Sequence, residues 1–193
     1  MLHPPRRINN VYFDNVSLSD FMHTVNGEKK RRKVRLRWYG DTFSEEVVAP
    51  QLEIKIKNDQ SNTKLISKLD SGDSTRLKEW IKNLALNNSP HAKESLSDRQ
   101  PTLLNSYYRH YYGSRDGNFR LTIDLDMSYQ ALSRHGKPLG KPLPEDNRSI
   151  IELKYNISQQ NIVSSISSSL PFRLTRNSKY RNGIVQLMQN GYL

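Results

Sequence analysis

The chain has 193 residues, 35% of them hydrophobic and 25% charged, which is typical of one globular domain and excludes a disordered segment. Thirty basic and nineteen acidic residues give a formal net charge of +11, which favours a polyanionic partner such as nucleic acid, an anionic membrane surface or a phosphorylated polymer. The lack of cysteine excludes disulfides, thiolate zinc sites and cysteine nucleophiles. With no apolar run long enough to span a membrane, we expect a soluble cytoplasmic protein that would reach a membrane only through a membrane-protein partner.

The beginning of the chain predicts short elements around a basic region. Met1–Arg7 is predicted as a proline-containing lead-in, Val11–Asn15 as a short strand, and Leu18–Val25 as one helical turn or a loop. Further along, a polar segment runs to Asn62. The segment Ser74–Asn87, around Trp80, predicts a helix because a serine can cap it and apolar residues recur at spacings of three and four.

Two segments between these elements, KVRLRWYG at 33–40 and LEIKIK at 52–57, alternate charged and apolar residues. This period of two predicts strands that each have one charged and one apolar face. The residues on the charged faces are Lys33, Arg35, Arg37, Glu53, Lys55 and Lys57. Because nearly all of them are cationic, the pattern indicates a surface that holds an anion.

The second half of the chain predicts a hairpin and a further strand with the same alternation. The strand sequences TLLNSYYRHYY and NFRLTIDLDM flank GSRDG, whose Asp116-Gly117 pair is a strong turn signal because both residues tolerate positive φ. The segment SIIELKYN predicts another strand. The polar faces of the last two strands contain Arg120, Thr122, Asp124, Glu152 and Lys154.

The remaining segments of this half are predicted as connections and helices. Pro90–Gln100 is predicted as a linker and Arg134–Pro144 as a loop rich in glycine and proline. Ser158–Ser169 allows a short serine-rich helix. The C-terminal segment is predicted to end in an amphipathic helix that packs on the sheet.

Several strands with one charged face each leave two architectures open. The sheet can be open, with its charges in water, or closed, with its charges inside and helices over the apolar outside. The mixture of carboxylates with arginine and lysine favours closure, as does the apolar helix face around Trp80. A closed tunnel of this kind can hold a divalent cation on carboxylate oxygens and a phosphate chain on basic groups, which is what phosphoryl transfer requires.

Six segments in order, VYFDN, KVRLRWYG, LEIKIK, FRLTID, IIELKY and NSKYRNG, resemble the motifs of the VTC domain. This family is the polyphosphate polymerase branch of the triphosphate tunnel metalloenzymes, which are related to the CYTH triphosphatases. The resemblance implies a β-dominated α+β fold over 1–193, with an antiparallel β tunnel, a charged interior and outer helices. It also implies growth of polyphosphate from the γ-phosphate of ATP or another nucleoside triphosphate, with Mn²⁺ or Mg²⁺ and without a specific nucleic acid.

The resemblance further implies roles for individual residues. Those carried over as catalytic are Arg35, Arg37, Arg120, Glu152 and Lys179. Those carried over as phosphate-binding are Arg35, Arg37, Lys55, Lys57, Tyr107, Arg109, Arg120, Lys154, Arg176 and Lys179. The metal ligands are expected to be Glu152, Glu53 and Asp124, with an ion pair that holds a neighbouring arginine in place as the alternative for Glu53 and Asp124.

One departure from the family pattern affects the functional prediction. Only MLHPPRR precedes the first motifs, where the resemblance implies an earlier strand with a glutamate and lysines. We therefore expect a domain that is N-terminally incomplete relative to the family, with one tunnel wall missing. Two alternatives to polyphosphate polymerase follow: a non-catalytic module that binds polyphosphate or triphosphate, and an inorganic or nucleoside triphosphatase. The oligomeric state stays open.

Two further features have simpler interpretations. The basic run Lys29–Lys33 is interpreted as a solvated segment outside the site. The aromatic residues Tyr107, Tyr108, Tyr111 and Tyr112 are interpreted as core or tunnel wall, with a stacking platform for single-stranded nucleic acid as the alternative.

Overall fold

The structure is a computed structural model that describes residues 2–42, 46–59, 61–73, 90–145, 148–171 and 173–193. Its strands are β1 (His3–Asp14), β2 (Arg31–Tyr39), β3 (Glu46–Val47), β4 (Gln51–Lys57), β5 (Asn62–Lys68), β6 (Gly72–Asp73), β7 (Gln100–Gly113), β8 (Phe119–Leu132), β9 (Pro138–Pro144) and β10 (Ile150–Tyr155). Its helices are α1 (Ser19–Val25), α2 (Pro90–Leu96), α3 (Gln160–Ser169) and α4 (Lys179–Gln189), with a 3-10 turn at Ile157–Gln159. The predicted helix Ser74–Asn87 lies outside the described residues. Among the helices that are described, none is long and apolar enough to cross a membrane.

The described strands form one large antiparallel sheet and one small one. The large sheet has the order β10-β8-β7-β1-β2-β4-β5, with β9 also paired to β8, and β3 pairs with β6. Within the described ranges β5 and β10 each pair on one side, so the sheet does not close into a barrel. The β-dominated α+β class is confirmed, whereas the closed tunnel is not.

The strand register determines which side chains share a face, because directly paired residues of an antiparallel sheet point to the same side. The residues that share a face with Arg35 on β2 can be identified from the pairing of β2 with β4 and from the successive pairings of β2 with β1, β1 with β7, β7 with β8 and β8 with β10. We call the face of the sheet that contains Arg35 the charged face. It contains all the strand residues predicted for the site, namely Arg35, Arg37, Glu53, Lys55, Lys57, Tyr107, Arg109, Arg120, Asp124, Glu152 and Lys154.

The opposite face of the sheet is apolar and forms the main core. Val34, Leu36, Leu52 and Ile54 are buried there with residues from β1, β7 and β8. Helix α2 covers this face through Ala92 and the neighbouring Leu96. The prediction that helices pack on the apolar outside is therefore confirmed for α2.

Helix α4 differs from that prediction because it packs on the charged face. Its residues Tyr180, Ile184 and Leu187 form a buried cluster with residues of β1, β7 and β8, namely Tyr12, Leu103, Tyr129 and Ala131. The physical reason is that this end of the charged face consists of apolar and aromatic side chains. Gly183 allows the close approach, since a Cβ there would lie 2.5 Å from Leu103 Cδ2 and 2.6 Å from Tyr129 Cδ1.

Asp14, at the end of β1, attaches two helices to the sheet. Its carboxylate accepts hydrogen bonds from the backbone N–H groups of Asp20 and Phe21 at the start of α1, at 3.1 and 3.0 Å. The hydroxyl of Tyr180 in α4 donates to the same carboxylate. The beginnings of α1 and α4 are thereby fixed to one point of the sheet.

The strands predicted from alternation and the GSRDG hairpin are confirmed, but several predicted connections contain regular structure. β1 begins at His3 inside the predicted lead-in, the predicted linker contains α2, the predicted loop contains β9, and the polar segment leads into β5. Proline explains three of these errors. The prolines of β1 lie before Ile8, where β1 is not yet paired with β2, and β9 is an edge strand that pairs only with β8 among the described strands. Pro90 is the first residue of α2. All three are positions that tolerate proline.

Candidate functional site

Glu53 on β4 is surrounded by three cations on the charged face. Its Oε2 accepts a 2.7 Å hydrogen bond from Arg35 Nε, and its Oε1 lies 3.1 Å from Lys64 Nζ and 3.4 Å from Arg37 Nη1. The Glu53 side chain is only 4% exposed. Burial alone would raise its pKa, but Arg35 and Arg37 lower the pKa to about 2. Glu53 is therefore ionised at neutral pH and orients the two arginines.

Asp124 on β8 forms a second buried ion-pair cluster. Arg109 donates to both of its oxygens, from Nε to Oδ1 at 2.5 Å and from Nη2 to Oδ2 at 2.7 Å. Lys179 Nζ, from the first residue of α4, lies 2.6 Å from Oδ2. Burial would raise the pKa of Asp124, but its contacts with Arg109 and Lys179 lower it. This carboxylate thus holds one cation from the sheet and one from a helix.

Tyr107 on β7 is the aromatic centre of the second cluster. Its ring centroid lies 5.2 Å from Arg109 Cζ and 4.7 Å from Lys179 Nζ, which are cation–π distances. Burial raises the pKa of its hydroxyl, although Arg37 and Arg109 act in the opposite direction. Tyr107 therefore stays neutral and has a cation of each cluster in its surroundings.

A basic cavity of about 490 Å³ opens beside these clusters. Its basic residues are Arg31, Lys33, Lys55, Lys57, Arg176 and Arg181. The other described residues that line it are uncharged. Burial, together with Lys55, Arg31 and Arg35, lowers the pKa of Lys33 to about 8. Cations held this close without a carboxylate form a site for a multiply charged anion.

The start of α4 connects two distant parts of the sheet. Lys33 on β2 donates a 2.8 Å hydrogen bond to Ser178 Oγ, and the next residue, Lys179, pairs with Asp124 on β8. Strands β2 and β8 are three steps apart in the sheet order, which is about 14 Å at the usual strand spacing. The start of α4 therefore bridges three strand steps of the charged face.

The family model of the VTC domain matches residues 3–188. The chain belongs to the VTC domain family. Among solved structures it is similar to the PH1819 protein from Pyrococcus horikoshii OT3, with a TM-score of 0.51 and 10% identity over 97% of this chain and 85% of that chain. At this identity the likeness concerns the fold alone. A comparison with curated proteins finds no significant match.

In this VTC domain the remaining predicted residues are not members of the two buried clusters, although the charge of Glu152 is close enough to help raise the pKa of Arg109. Arg120, Glu152 and Lys154 are exposed at the β8–β10 edge, where Lys154 pairs with Arg120 in the register. Lys154 Nζ lies 3.6 Å from Glu152 Oε1. Arg176 lines the basic cavity. Membership of the VTC domain family is consistent with a function related to polyphosphate.

The three predicted metal ligands differ in how available their oxygens are. Those of Glu53 and Asp124 accept from guanidinium and ammonium groups, whereas Glu152 is 47% exposed. In the part of the VTC domain that the structure describes, no three acidic or histidine side chains come together as a metal site. Mg²⁺ commonly binds through one or two carboxylates plus substrate phosphates, and Glu152 fits that role. Metal binding by Glu152, Glu53 and Asp124 stays a prediction.

Sequence reasoning missed several residues of this site. Lys33 is predicted on the charged face but is left out of the predicted site, because it ends the basic run Lys29–Lys33 that is interpreted as solvated. Lys64 lies on β5, a strand that was not predicted. Arg31 and Arg181 also line the basic cavity: Arg31 precedes the KVRLRWYG motif, and Arg181 lies within NSKYRNG but is not among the predicted site residues. The period-two alternation of β2, continued backwards by one step from Lys33, identifies Arg31 as a further residue of the charged face.

Proposed function

We propose that the charged face binds the phosphate chain of a nucleoside triphosphate or of polyphosphate, and that the domain transfers the γ-phosphoryl group to a growing polyphosphate chain. The observation that carries this proposal is the basic cavity, in which six cations converge beside two further clusters of arginine and lysine. Guanidinium groups match phosphate oxygens with two parallel hydrogen bonds, and ammonium groups add point charges.

The two buried carboxylates support the proposal by positioning cations in advance. Glu53 holds Arg35 and Arg37, and Asp124 holds Arg109 and Lys179, so these groups are oriented before a ligand arrives. Positioning and charge neutralisation supply most of the catalysis in phosphoryl transfer. Cations that need no reorganisation are suited to that task.

Different residues of the charged face would bind different parts of a phosphate chain. Lys55, Lys57 and Arg176 would bind phosphates in the basic cavity, while the cations of the two clusters would bind the reacting end. Glu152 would hold a Mn²⁺ or Mg²⁺ ion. When bound, such an ion neutralises charge on the phosphate oxygens.

A non-catalytic polyphosphate-binding module is the second candidate. A specific observation favours it: the oxygens of Glu53 and Asp124 are occupied by cations, so neither is free to accept a proton from an attacking group. A triphosphatase would use the same cations as a polymerase and would differ only in the acceptor, which is water.

The test combines turnover with binding. The purified chain is incubated with ATP and Mn²⁺ while free phosphate and polyphosphate are both measured, and tripolyphosphate affinity is measured by calorimetry. Polyphosphate formation supports the polymerase, phosphate alone supports a triphosphatase, and binding without either product supports the binding module. Absence of tripolyphosphate binding overturns the proposal in all three forms.

Variants locate the binding site within the fold. The double change Lys55→Ala and Lys57→Ala removes two cations from the basic cavity and should weaken tripolyphosphate binding by at least about tenfold, since each charge-assisted contact contributes about 1 kcal/mol or more. The matched control is Lys93→Ala, because Lys93 is an exposed residue of α2 on the opposite side of the sheet. Equal affinities of all three proteins would place the binding site elsewhere.

A further inference from the structure

An aromatic cluster with a single cation lies on the charged face beyond Arg109. Arg6 Cζ lies 4.0 Å from the ring centroid of Tyr39 and 5.2 Å from that of Tyr111, and Arg6 Nε donates a 3.2 Å hydrogen bond to the Tyr111 hydroxyl. We call Arg6, Tyr39 and Tyr111 the rim cluster. Arg6 is exposed, and both rings are half-buried.

The rim cluster is fixed to the rest of the site through a small core. Tyr39 and Tyr111 pack against the buried side chains of Ile8, Tyr107 and Met127. Tyr107 in turn contacts the Arg109 and Lys179 cations. The aromatic rim and the cations of the Asp124 cluster are therefore parts of one continuous surface.

The spacing between the two parts follows from the strand. Arg109 and Tyr111 are two residues apart on β7 and share the charged face, which separates them by about 7 Å. The ribose of a nucleotide bridges a gap of this order between its base and its first phosphate. In the described part of the chain Arg6 forms no salt bridge, in contrast to Arg35 and Arg109. Its guanidinium already stacks on the Tyr39 ring and its side chain is exposed, so a base would extend an existing stack.

We propose that the rim cluster is a stacking site for the nucleobase of a nucleoside triphosphate whose phosphates lie on Arg109 and Lys179. This inference rests on the proposed function and specifies its substrate class. Arginine guanidinium planes and tyrosine rings are the groups on which proteins stack bases, and such stacking tolerates different bases. The proposal also gives a role to the two tyrosines of the YYRHYY motif that lie on the charged face. Tyr107 belongs to the buried core beneath the site and Tyr111 to the rim cluster, while Tyr108 and Tyr112 point to the other face.

The proposal makes a prediction that charge alone does not. Fully ionised tripolyphosphate carries one more negative charge than ATP, so a purely electrostatic site binds tripolyphosphate at least as tightly. Base stacking is worth about 1 kcal/mol or more, so a stacking site binds ATP about fivefold or more tightly than it would without the base contact.

The experiment compares the two ligands by calorimetry, with the same excess of Mg²⁺, in the parent protein and in Tyr111→Leu and Tyr39→Leu. We expect each change to weaken ATP binding about fivefold or more and to leave tripolyphosphate affinity unchanged, which also shows that the variant is folded. The matched control is Tyr112→Leu, at a tyrosine 38% exposed on the opposite face, and its ratio of affinities should equal that of the parent.

The outcomes separate this inference from the proposed function. If tripolyphosphate binds and the ratio of affinities does not change in Tyr39→Leu and Tyr111→Leu, the stacking site is wrong and the phosphate site stands. If neither ligand binds the parent protein, the proposed function fails and the inference fails with it. Saturation-transfer NMR adds a direct readout: adenine H2 and H8 should receive saturation from the parent protein and lose it in Tyr111→Leu, and equal transfer in both would overturn the inference.

Discussion

Lys33 Nζ donates a 2.8 Å hydrogen bond to the hydroxyl of Ser178, a residue 145 positions further along the chain. The same hydroxyl accepts a hydrogen bond from the backbone N–H of Arg181 and so caps α4. One serine therefore joins the central strand β2 to the helix that carries Lys179. The position of the helix start and the charge of the basic cavity are coupled through this contact.

This coupling predicts how anion binding depends on pH. The pKa of Lys33 is lowered to about 8, so its ammonium group loses its proton as pH rises through that value. Tripolyphosphate affinity should consequently fall between about pH 7 and about pH 9. The change Lys33→Arg keeps the charge over this range and should remove the step. Calorimetric titrations between about pH 7 and about pH 9 measure the affinity of both proteins. A fall of the same size in Lys33→Arg would show that another group causes the pH dependence.

The Glu53 cluster predicts a large stability difference between two conservative changes. Glu53→Gln leaves the half-buried Arg35 and Arg37 without their carboxylate, and it should lower the free energy of unfolding by about 3 kcal/mol. Glu152→Gln alters an exposed carboxylate and should cost less than about 1 kcal/mol. Urea denaturation measures both. Added sulfate should recover more stability in Glu53→Gln than in the parent, because an anion can replace the missing partner; equal recovery would contradict the assignment.

Glu152→Gln also separates binding from turnover. Glu152 is the exposed carboxylate of the charged face and adds little to the anion site, so its change should abolish metal-dependent product formation and leave tripolyphosphate affinity within about twofold. The measurements are a phosphate and polyphosphate assay with Mn²⁺ and a binding titration. Full activity of the variant would remove Glu152 from the site.

The close approach of α4 to the sheet at Gly183 predicts that a larger side chain there destabilises the protein. An alanine Cβ at this position would lie 2.5 Å from Leu103 Cδ2, so Gly183→Ala should destabilise the protein by about 1–3 kcal/mol despite the better helix propensity of alanine. Gln189→Ala, at an exposed position of the same helix, is the control. Thermal denaturation compares them, and an unchanged melting temperature for Gly183→Ala would show that the helix can move outward at little cost.

Local patterns in the sequence predicted much of the fold, and long-range pairing determined the rest. The alternation of β2, β4, β8 and β10 correctly predicted strands and their charged sides, and the order of six motifs correctly predicted the family. Edge strands β5 and β9 were missed because a strand with one neighbour needs no strict alternation, and the prolines of β9 indicated a loop. For Glu53 the sequence left a metal ligand and an ion pair with a neighbouring arginine both open, because its three cations come from strands β2 and β5, whose pairing with β4 is not visible in any one segment.

The ion pairs within the charged face have a consequence for the speed of ligand release. A phosphate group that binds Arg35 or Arg109 competes with Glu53 or Asp124 for a guanidinium that is already occupied. Only the difference between the two interactions then contributes to affinity, so each site holds its phosphate less tightly than its charge suggests. If the proposed function holds, a long polyanion would therefore exchange one cation for the next and slide along the charged face without becoming trapped on it.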